Sequence, residues 1–202
     1  HASISTVCSY FYVRSMADSS VKLTATVTKK IDTLCQRYPA SEIALMAKIQ
    51  KSLPENALVY LGNSLVIRNF EMVQTKRLRV YGNRGVNGID GQLSTVVGMA
   101  RKTTETIYCI LGDLTLRYDL SALSDFPFNL RLIVINNYGG RIFESLKLDE
   151  RIILAHKNDF SSLAQVFGLR YSTKVEDIDS TQLTEIFTDL EESRSFLREL
   201  RP

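Results

Sequence analysis

Short runs rich in Val, Ile and Leu alternate along this chain with longer stretches in which apolar and polar residues repeat at a helical period. The runs are ALVYLG (57–62), LRVYGN (78–83), TIYCILG (106–112) and LRLIVINN (130–137). A strand that is apolar on both sides of its pleat is covered on both faces. The stretches between them, SLVIRNFEMV (64–73), DGQLSTVVGMARKT (90–103) and LTLRYDLSAL (114–123), predict helices, the first with Ser64 as its cap. Strand–helix–strand alternation predicts an α/β protein, a three-layer, doubly wound, mostly parallel sheet with helices on both faces.

Outside this core the pattern predicts further helices over 41–53, capped by Ser41 and stopped by Pro54, and over 21–37. Downstream it predicts a helix over 159–169, opened by Asp159 with Gly168 at its end, another over 181–193, and a last edge strand over 195–200. Pro39 marks a boundary, with residues 1–38 as the tail of a preceding domain or a linker and 39–202 as the main domain. The chain starts with His rather than Met, as a piece of something longer would.

Composition narrows the partners. A chain of 202 residues buries one good core, and a net charge of +3, from 25 basic and 22 acidic residues spread along it, points to neither nucleic acid nor a charged membrane surface. No run reaches the roughly eighteen apolar residues of a membrane span. Cys8, Cys35 and Cys109 are scattered, with no CxxC, which reads as a reduced, cytoplasmic protein without a zinc site.

The chemistry lies where two strands end. TIYCILG runs into Gly112-Asp113, and LRLIVINN ends in Asn136-Asn137, followed by Gly139-Gly140. In open parallel sheets ligands bind at the carboxyl ends of strands. A carboxylate, an amide oxygen and an accessible carbonyl are hard oxygen ligands suited to magnesium or calcium, and magnesium completes its shell with phosphate oxygens and water. Either feature alone also reads as an ordinary turn.

Taken together, Gly-Asp and Asn-Asn about two dozen residues apart resemble the diphosphate-binding motif of thiamine-diphosphate enzymes. GNSLVIR (62–68), YGNRGVNGIDGQLSTVVGMA (81–100), GDLTLRYDLSAL (112–123), INNYGGRIFE (135–144) and HKNDFSSLAQVFGLRY (156–171) narrow the resemblance. They are similar to the 2-succinyl-5-enolpyruvyl-6-hydroxy-3-cyclohexene-1-carboxylate (SEPHCHC) synthases of menaquinone biosynthesis, over about residues 55–171, and the match is weak before residue 50.

The resemblance implies thiamine diphosphate and Mg2+, with Mn2+ as a substitute, as cofactors of a transferase that decarboxylates 2-oxoglutarate and adds the carbanion that remains to isochorismate. It implies that Gly112, Asp113, Leu114, Asn137, Gly139 and Ile89 bind the cofactor, with Asp113, Asn137 and the Gly139 carbonyl on the metal and Ile89 as the apolar prop that bends the cofactor. It implies that Ser64, Arg68 and Arg84 bind substrate carboxylates, for which paired guanidinium hydrogen bonds are suited, and that Ile142 and Phe143 form an apolar wall. His156 reads as structural.

Three departures stand out. The stretch from Leu114 to Asn136 is shortened around SDFPFN (124–129), and Tyr138 and Arg141 replace smaller or uncharged residues. The glutamate that activates the cofactor in this family belongs to a pyrimidine-binding domain, of the same or a neighbouring subunit, that these residues do not resemble. The expectation is the C-terminal, diphosphate-binding part of a homodimer or homotetramer, inactive alone. Two alternatives stay open: another thiamine-dependent 2-oxo acid decarboxylase or carboligase, and a non-catalytic module with a degenerate cofactor site.

Overall fold

The computed structural model describes residues 13–15, 25–73, 76–85, 88–146 and 149–201. Its strands are β1 (Val13–Ser15), β2 (Leu58–Leu61), β3 (Arg79–Asn83), β4 (Ile107–Gly112), β5 (Leu130–Asn136), β6 (Tyr171–Ser172) and β7 (Leu183–Phe187). They form one sheet in the order β1-β3-β2-β4-β5-β7-β6. All neighbours are parallel except β1, which runs antiparallel along the edge of β3.

Helices cover both faces: α1 (Ala25–Arg37), α2 (Glu42–Ser52), α3 (Leu65–Val73), α4 (Gln92–Ala100), α5 (Asp113–Arg117), α6 (Ser161–Val166) and α7 (Leu190–Leu200). The strand period of two sorts the core. Tyr108 and Ile110 of β4 and Ile133 and Ile135 of β5 face α1, α2, α3 and α7. Ile107, Cys109 and Leu111, with Leu130, Leu132 and Val134, face α4, the short α5 and α6. Both alternating sets are apolar, so the central strands read as continuous apolar runs.

From β2 the chain winds outward to β3, crosses back over β2 to β4, and continues outward through β5. The direction of winding therefore reverses between β2 and β4. The crevice at the carboxyl ends of these two strands is where such a sheet binds ligands.

The four central strands and the helices α2, α3, α4 and α6 stand where the pattern predicts them. Ser41 caps α2, its Oγ accepting from Ala44 N at 3.3 Å, and Gly168 takes φ 65° just past α6. The predicted 21–37 helix is described from Ala25, residues 21–24 lying outside the described residues. Its Ile31 and Leu34 join the core, and Tyr38 just beyond donates its hydroxyl to Glu199 at 2.5 Å.

Other expectations are corrected. The segment predicted as a helix over 181–193 contains β7, and 195–200, predicted as an edge strand, is the end of α7. The cause is Glu185, which is fully buried in β7. It accepts from Asn136 Nδ2 at 2.6 Å, Phe160 N at 2.9 Å and the Tyr171 hydroxyl at 2.7 Å. Three donors from other elements make a charged residue tolerable in a strand interior, and nothing local announces them. The 114–123 helix is also not continuous: α5 ends at Arg117, and Leu120–Asp125 forms a tighter 3-10 helix. Ser64 lies at φ 72° ahead of α3, not in the extended conformation of a capping serine. Tyr171→Phe, which removes one donor to the Glu185 carboxyl, is expected to cost about 1.5 kcal/mol in denaturant unfolding.

Candidate functional site

Each strand that ends at the winding reversal, and each neighbour, delivers side chains to one cavity of about 740 Å³. From the end of β2 come Asn63 and Ser64, with Arg68 one turn into α3. From beyond β3 come Arg84 and Ile89, from beyond β4 Gly112, Asp113 and Leu114, and from beyond β5 Asn137, Gly139, Ile142 and Phe143. The eleven positions singled out from sequence thus line a single space. Within the loop that carries Ile89, residues 86 and 87 lie outside the described residues.

Asp113 is the hinge of the site. It is the first residue of α5 and is almost fully buried. Its Oδ1 accepts from Leu114 N at 2.6 Å, and its Oδ2 accepts from Gly139 N at 2.9 Å. The second of these bonds joins the end of β4 to the turn after β5, so the two halves of the motif meet directly. Burial pushes the Asp113 carboxyl above its usual range, against the pull of the Gly139 and Leu114 N–H groups and of His156.

His156 is the residue that sequence reading passed over. Its Nε2 lies 3.0 Å from Asp113 Oδ2, and its Nδ1 accepts from Asn158 N at 3.2 Å. With Nδ1 occupied as an acceptor, the proton of the neutral ring sits on Nε2 and is donated to Asp113. Position alone gave no signal for this, since the loop through 149–158 returns to β4 only in the folded chain.

The turn after β5 explains how Tyr138 and Arg141 are accommodated. Tyr138 takes φ 62°, and its ring packs against His156 and Phe187, with centroids 6.4 and 6.2 Å away. Arg141 folds back over the same turn, donating from Nε to the Asn137 carbonyl at 3.0 Å and from a terminal nitrogen to the Tyr138 carbonyl at 3.3 Å. Both substitutions brace the loop. Asn136 is held by Glu185, and its own Oδ1 accepts from Tyr138 N at 3.1 Å.

A second carboxyl group lines the cavity unannounced by any motif. Glu42, in the first turn of α2, is buried, and it accepts from Asn69 Nδ2 at 2.8 Å and from Asn137 Nδ2 at 3.0 Å. Burial raises its pKa to about 7, with the nearby Asp113 adding to the rise and the two amides opposing it.

On the cation side, Arg68 donates to the Ser64 carbonyl at 2.8 Å and Arg84 to Asn63 Oδ1 at 3.1 Å. Asn63 in turn donates to the Asn83 and Gly88 carbonyls at 3.0 and 2.6 Å. This ties the loop carrying Arg84 and Ile89 to the end of β2. The mouth is apolar, with Tyr118, Phe143, Ile152 and Leu154 all exposed there. Among the described residues no helix is long and apolar enough to cross a membrane.

This fold, a parallel sheet that winds outward from β2 and β4 with helices on both faces, is that of the thiamine-diphosphate-dependent enzymes. A thiamin diphosphate-dependent enzyme from Mycobacterium smegmatis matches 74% of this chain and 32% of its own at a TM-score of 0.59 and 17% identity. The thiamine diphosphate-dependent 4-hydroxybenzoylformate decarboxylase of Rhodococcus jostii matches 76% and 33% at a TM-score of 0.60 and 18% identity. No protein-family profile matches the chain.

Closer kinship lies in sequence. The chain is 36% identical over 185 residues to the SEPHCHC synthase of Bdellovibrio bacteriovorus, covering 84% of this chain and 35% of that protein. It is 36% identical over 166 residues to the synthase of Pectobacterium carotovorum, covering 77% and 29%. By these similarities the chain belongs to the SEPHCHC synthase family, and it matches the C-terminal part of those proteins. It spans about a third of the length of the curated relatives it matches.

Proposed function

We propose that this chain is the cofactor-binding part of a thiamine-diphosphate- and Mg2+-dependent synthase of menaquinone biosynthesis. In the whole protein it would decarboxylate 2-oxoglutarate and transfer what remains to isochorismate. The observation that carries the reading is the direct bond from Gly139 N to the buried Asp113 carboxylate, which sets Asp113, Asn137 and Gly139 around one cavity that also holds Arg68 and Arg84.

The donor set fits a hard divalent cation on a diphosphate. Among the described residues no group of three or more His, Cys, Asp or Glu side chains could hold a metal. A cation here would therefore rest on one carboxylate, the Asn137 amide oxygen and the Gly139 carbonyl, and take its remaining ligands from phosphate and water, as magnesium does. Mn2+ would serve in its place. The charge would also compensate the desolvation of Asp113.

When bound, thiamine diphosphate supplies the electron sink for decarboxylation. The chain's own residues then have distinct tasks. Ile89, with Gly112 and Leu114, shapes the cofactor's seat. Arg68 and Arg84, with Ser64, clamp substrate carboxylates by charge-assisted hydrogen bonds. Ile142 and Phe143 keep water from the reacting end.

The exposed apolar mouth suits cover by the pyrimidine-binding domain, of this or a neighbouring subunit in a homodimer or homotetramer, which would bring the activating glutamate. The chain alone is therefore expected to bind and not to turn over.

Calorimetric titration of thiamine diphosphate into the chain, with and without Mg2+, tests the reading. Magnesium-dependent binding is expected, and absence of binding even with the pyrimidine-binding domain present would overturn it. In the complete enzyme Arg84→Ala is expected to raise the KM for a dicarboxylate substrate about ten- to a hundredfold, the weight of one or two charged hydrogen bonds. A KM unchanged by the substitution, or a preference for pyruvate, would instead favour another 2-oxo acid decarboxylase.

A further inference from the structure

An asparagine that ligates a cation must present its oxygen, yet the two ends of an amide are nearly identical in shape and only hydrogen-bond partners tell them apart. The surroundings of Asn137 make that distinction. Its Nδ2 donates to Glu42 Oε2 at 3.0 Å, while its backbone carbonyl is taken by Arg141 Nε at 3.0 Å. The two Glu42 oxygens each accept from an amide NH2, one from Asn69 and one from Asn137, which turns the NH2 end of the Asn137 amide toward Glu42 and its oxygen the other way.

Glu42 is itself fixed. Its other oxygen accepts from the buried Asn69 Nδ2 at 2.8 Å, and its backbone N donates to Ser193 Oγ at 3.0 Å. The preceding turn is clamped to the start of α7, Ala40 N donating to Glu192 at 2.7 Å and Asp189 N to the Ala40 carbonyl at 2.9 Å. The residue thus stands on a rigid corner where α2, α3 and α7 meet.

We infer that Glu42 is the positioning residue that holds the Asn137 side chain with its amide oxygen, not its nitrogen, turned toward the cation-binding face of the cavity. The inference rests on the proposed reading of Asn137 as a ligand. A stability role alone accounts poorly for the choice of residue. A carboxyl group here is buried beside a second one, Asp113, and among the described residues the donors to its side chain are two neutral amides. Burying a charge with such partners is costly, and a neutral residue would link α2 to α3 at less expense.

The test is a Mg2+ titration of thiamine-diphosphate binding to the chain. It compares the unaltered protein, Glu42→Met, which keeps the length of the side chain without an acceptor, and Asn69→Ala, which removes the other donor to Glu42 and leaves the Asn137 contact. Residues that orient a metal ligand typically govern affinity ten- to a hundredfold, so Glu42→Met is expected to raise the Mg2+ concentration at half-binding by about that factor, and Asn69→Ala by less than about twofold. Thermal unfolding of both variants supplies the structural reference.

If Glu42→Met titrates like the unaltered chain, or if both variants shift together in step with their loss of stability, the inference is overturned. Should Glu42→Met not fold, the Asn137 side-chain amide signals of the unaltered chain decide. A hydrogen-bonded proton coupled to the Glu42 carboxyl is expected, and a freely exchanging pair overturns the inference. No magnesium-dependent binding by the unaltered chain, even with the pyrimidine-binding domain present, would bring down the reading of the cavity, and the inference with it, which separates the two failures.

Discussion

Gly139→Ala is expected to destabilise the chain by about 3 kcal/mol or more and to abolish cofactor binding, a combination of overpacking and backbone strain. Gly139 takes φ 133°, a conformation that side-chain-bearing residues rarely adopt. A Cβ there would lie 2.6 Å from the Ile153 carbonyl oxygen, 3.1 Å from that of Leu154 and 3.2 Å from Ala155 Cα. All three are backbone atoms and cannot swing aside as the tip of a side chain can.

The turn would have to withdraw from the 153–155 segment. That would break the 2.6 Å bond from Gly140 N to the Ile153 carbonyl and the bond from His156 N to Tyr138, and would pull Gly139 N from Asp113. The contrast is Gly98, on α4, where an added Cβ meets nothing within 4 Å. Gly98→Ala is expected to stabilise by about 0.5–1 kcal/mol, the ordinary gain of alanine in a helix. Urea unfolding of the two variants beside the unaltered chain checks both, and a Gly139→Ala protein as stable as the parent would show that the turn is not the fixed element described here.

Those residues also show what could be read in advance. β2, β3, β4 and β5 were legible because burial on both faces leaves its mark in the strand's own composition, as in TIYCILG. β7 was not, because Glu185 is buried by virtue of partners on β5, β6 and the 158–160 turn. A strand whose polar groups are satisfied at long range looks, one residue at a time, like the wet side of a helix. The misplaced edge strand over 195–200 follows from the same error, since assigning the helix to 181–193 cut α7 in two.

The cavity was legible to the extent that its residues sit at strand ends or carry the motif. Ile89, Arg84 and Ser64 came with it only through the family resemblance. Glu42 and His156 did not come at all. An acidic residue right after a capping serine is the usual complement to a helix dipole, so Ser41-Glu42 signalled a helix start and not a buried carboxyl in the cavity. His156 reaches Asp113 through an irregular loop whose course no period encodes.

The last expected result separates the fold of the site from its function. Asp113→Asn keeps the size and shape of the side chain, and its effect on the unliganded chain is expected to be small, within about 1–2 kcal/mol, because two changes oppose each other. An amide cannot accept at both ends, so either Leu114 N or Gly139 N loses its partner. Yet the desolvated negative charge, and its repulsion of Glu42, disappear as well. With ligand the balance is different, because the one carboxylate in the proposed donor set is gone. Thiamine diphosphate with Mg2+ at a hundred times its dissociation constant stabilises a folded protein by about 2.7 kcal/mol. The unaltered chain is expected to gain that increment in melting experiments, and Asp113→Asn to gain almost none, its affinity reduced at least about a hundredfold by the loss of a charged ligand. Equal ligand-induced stabilisation of the two proteins would mean that the carboxylate at the end of β4 braces the turn after β5 and does nothing more.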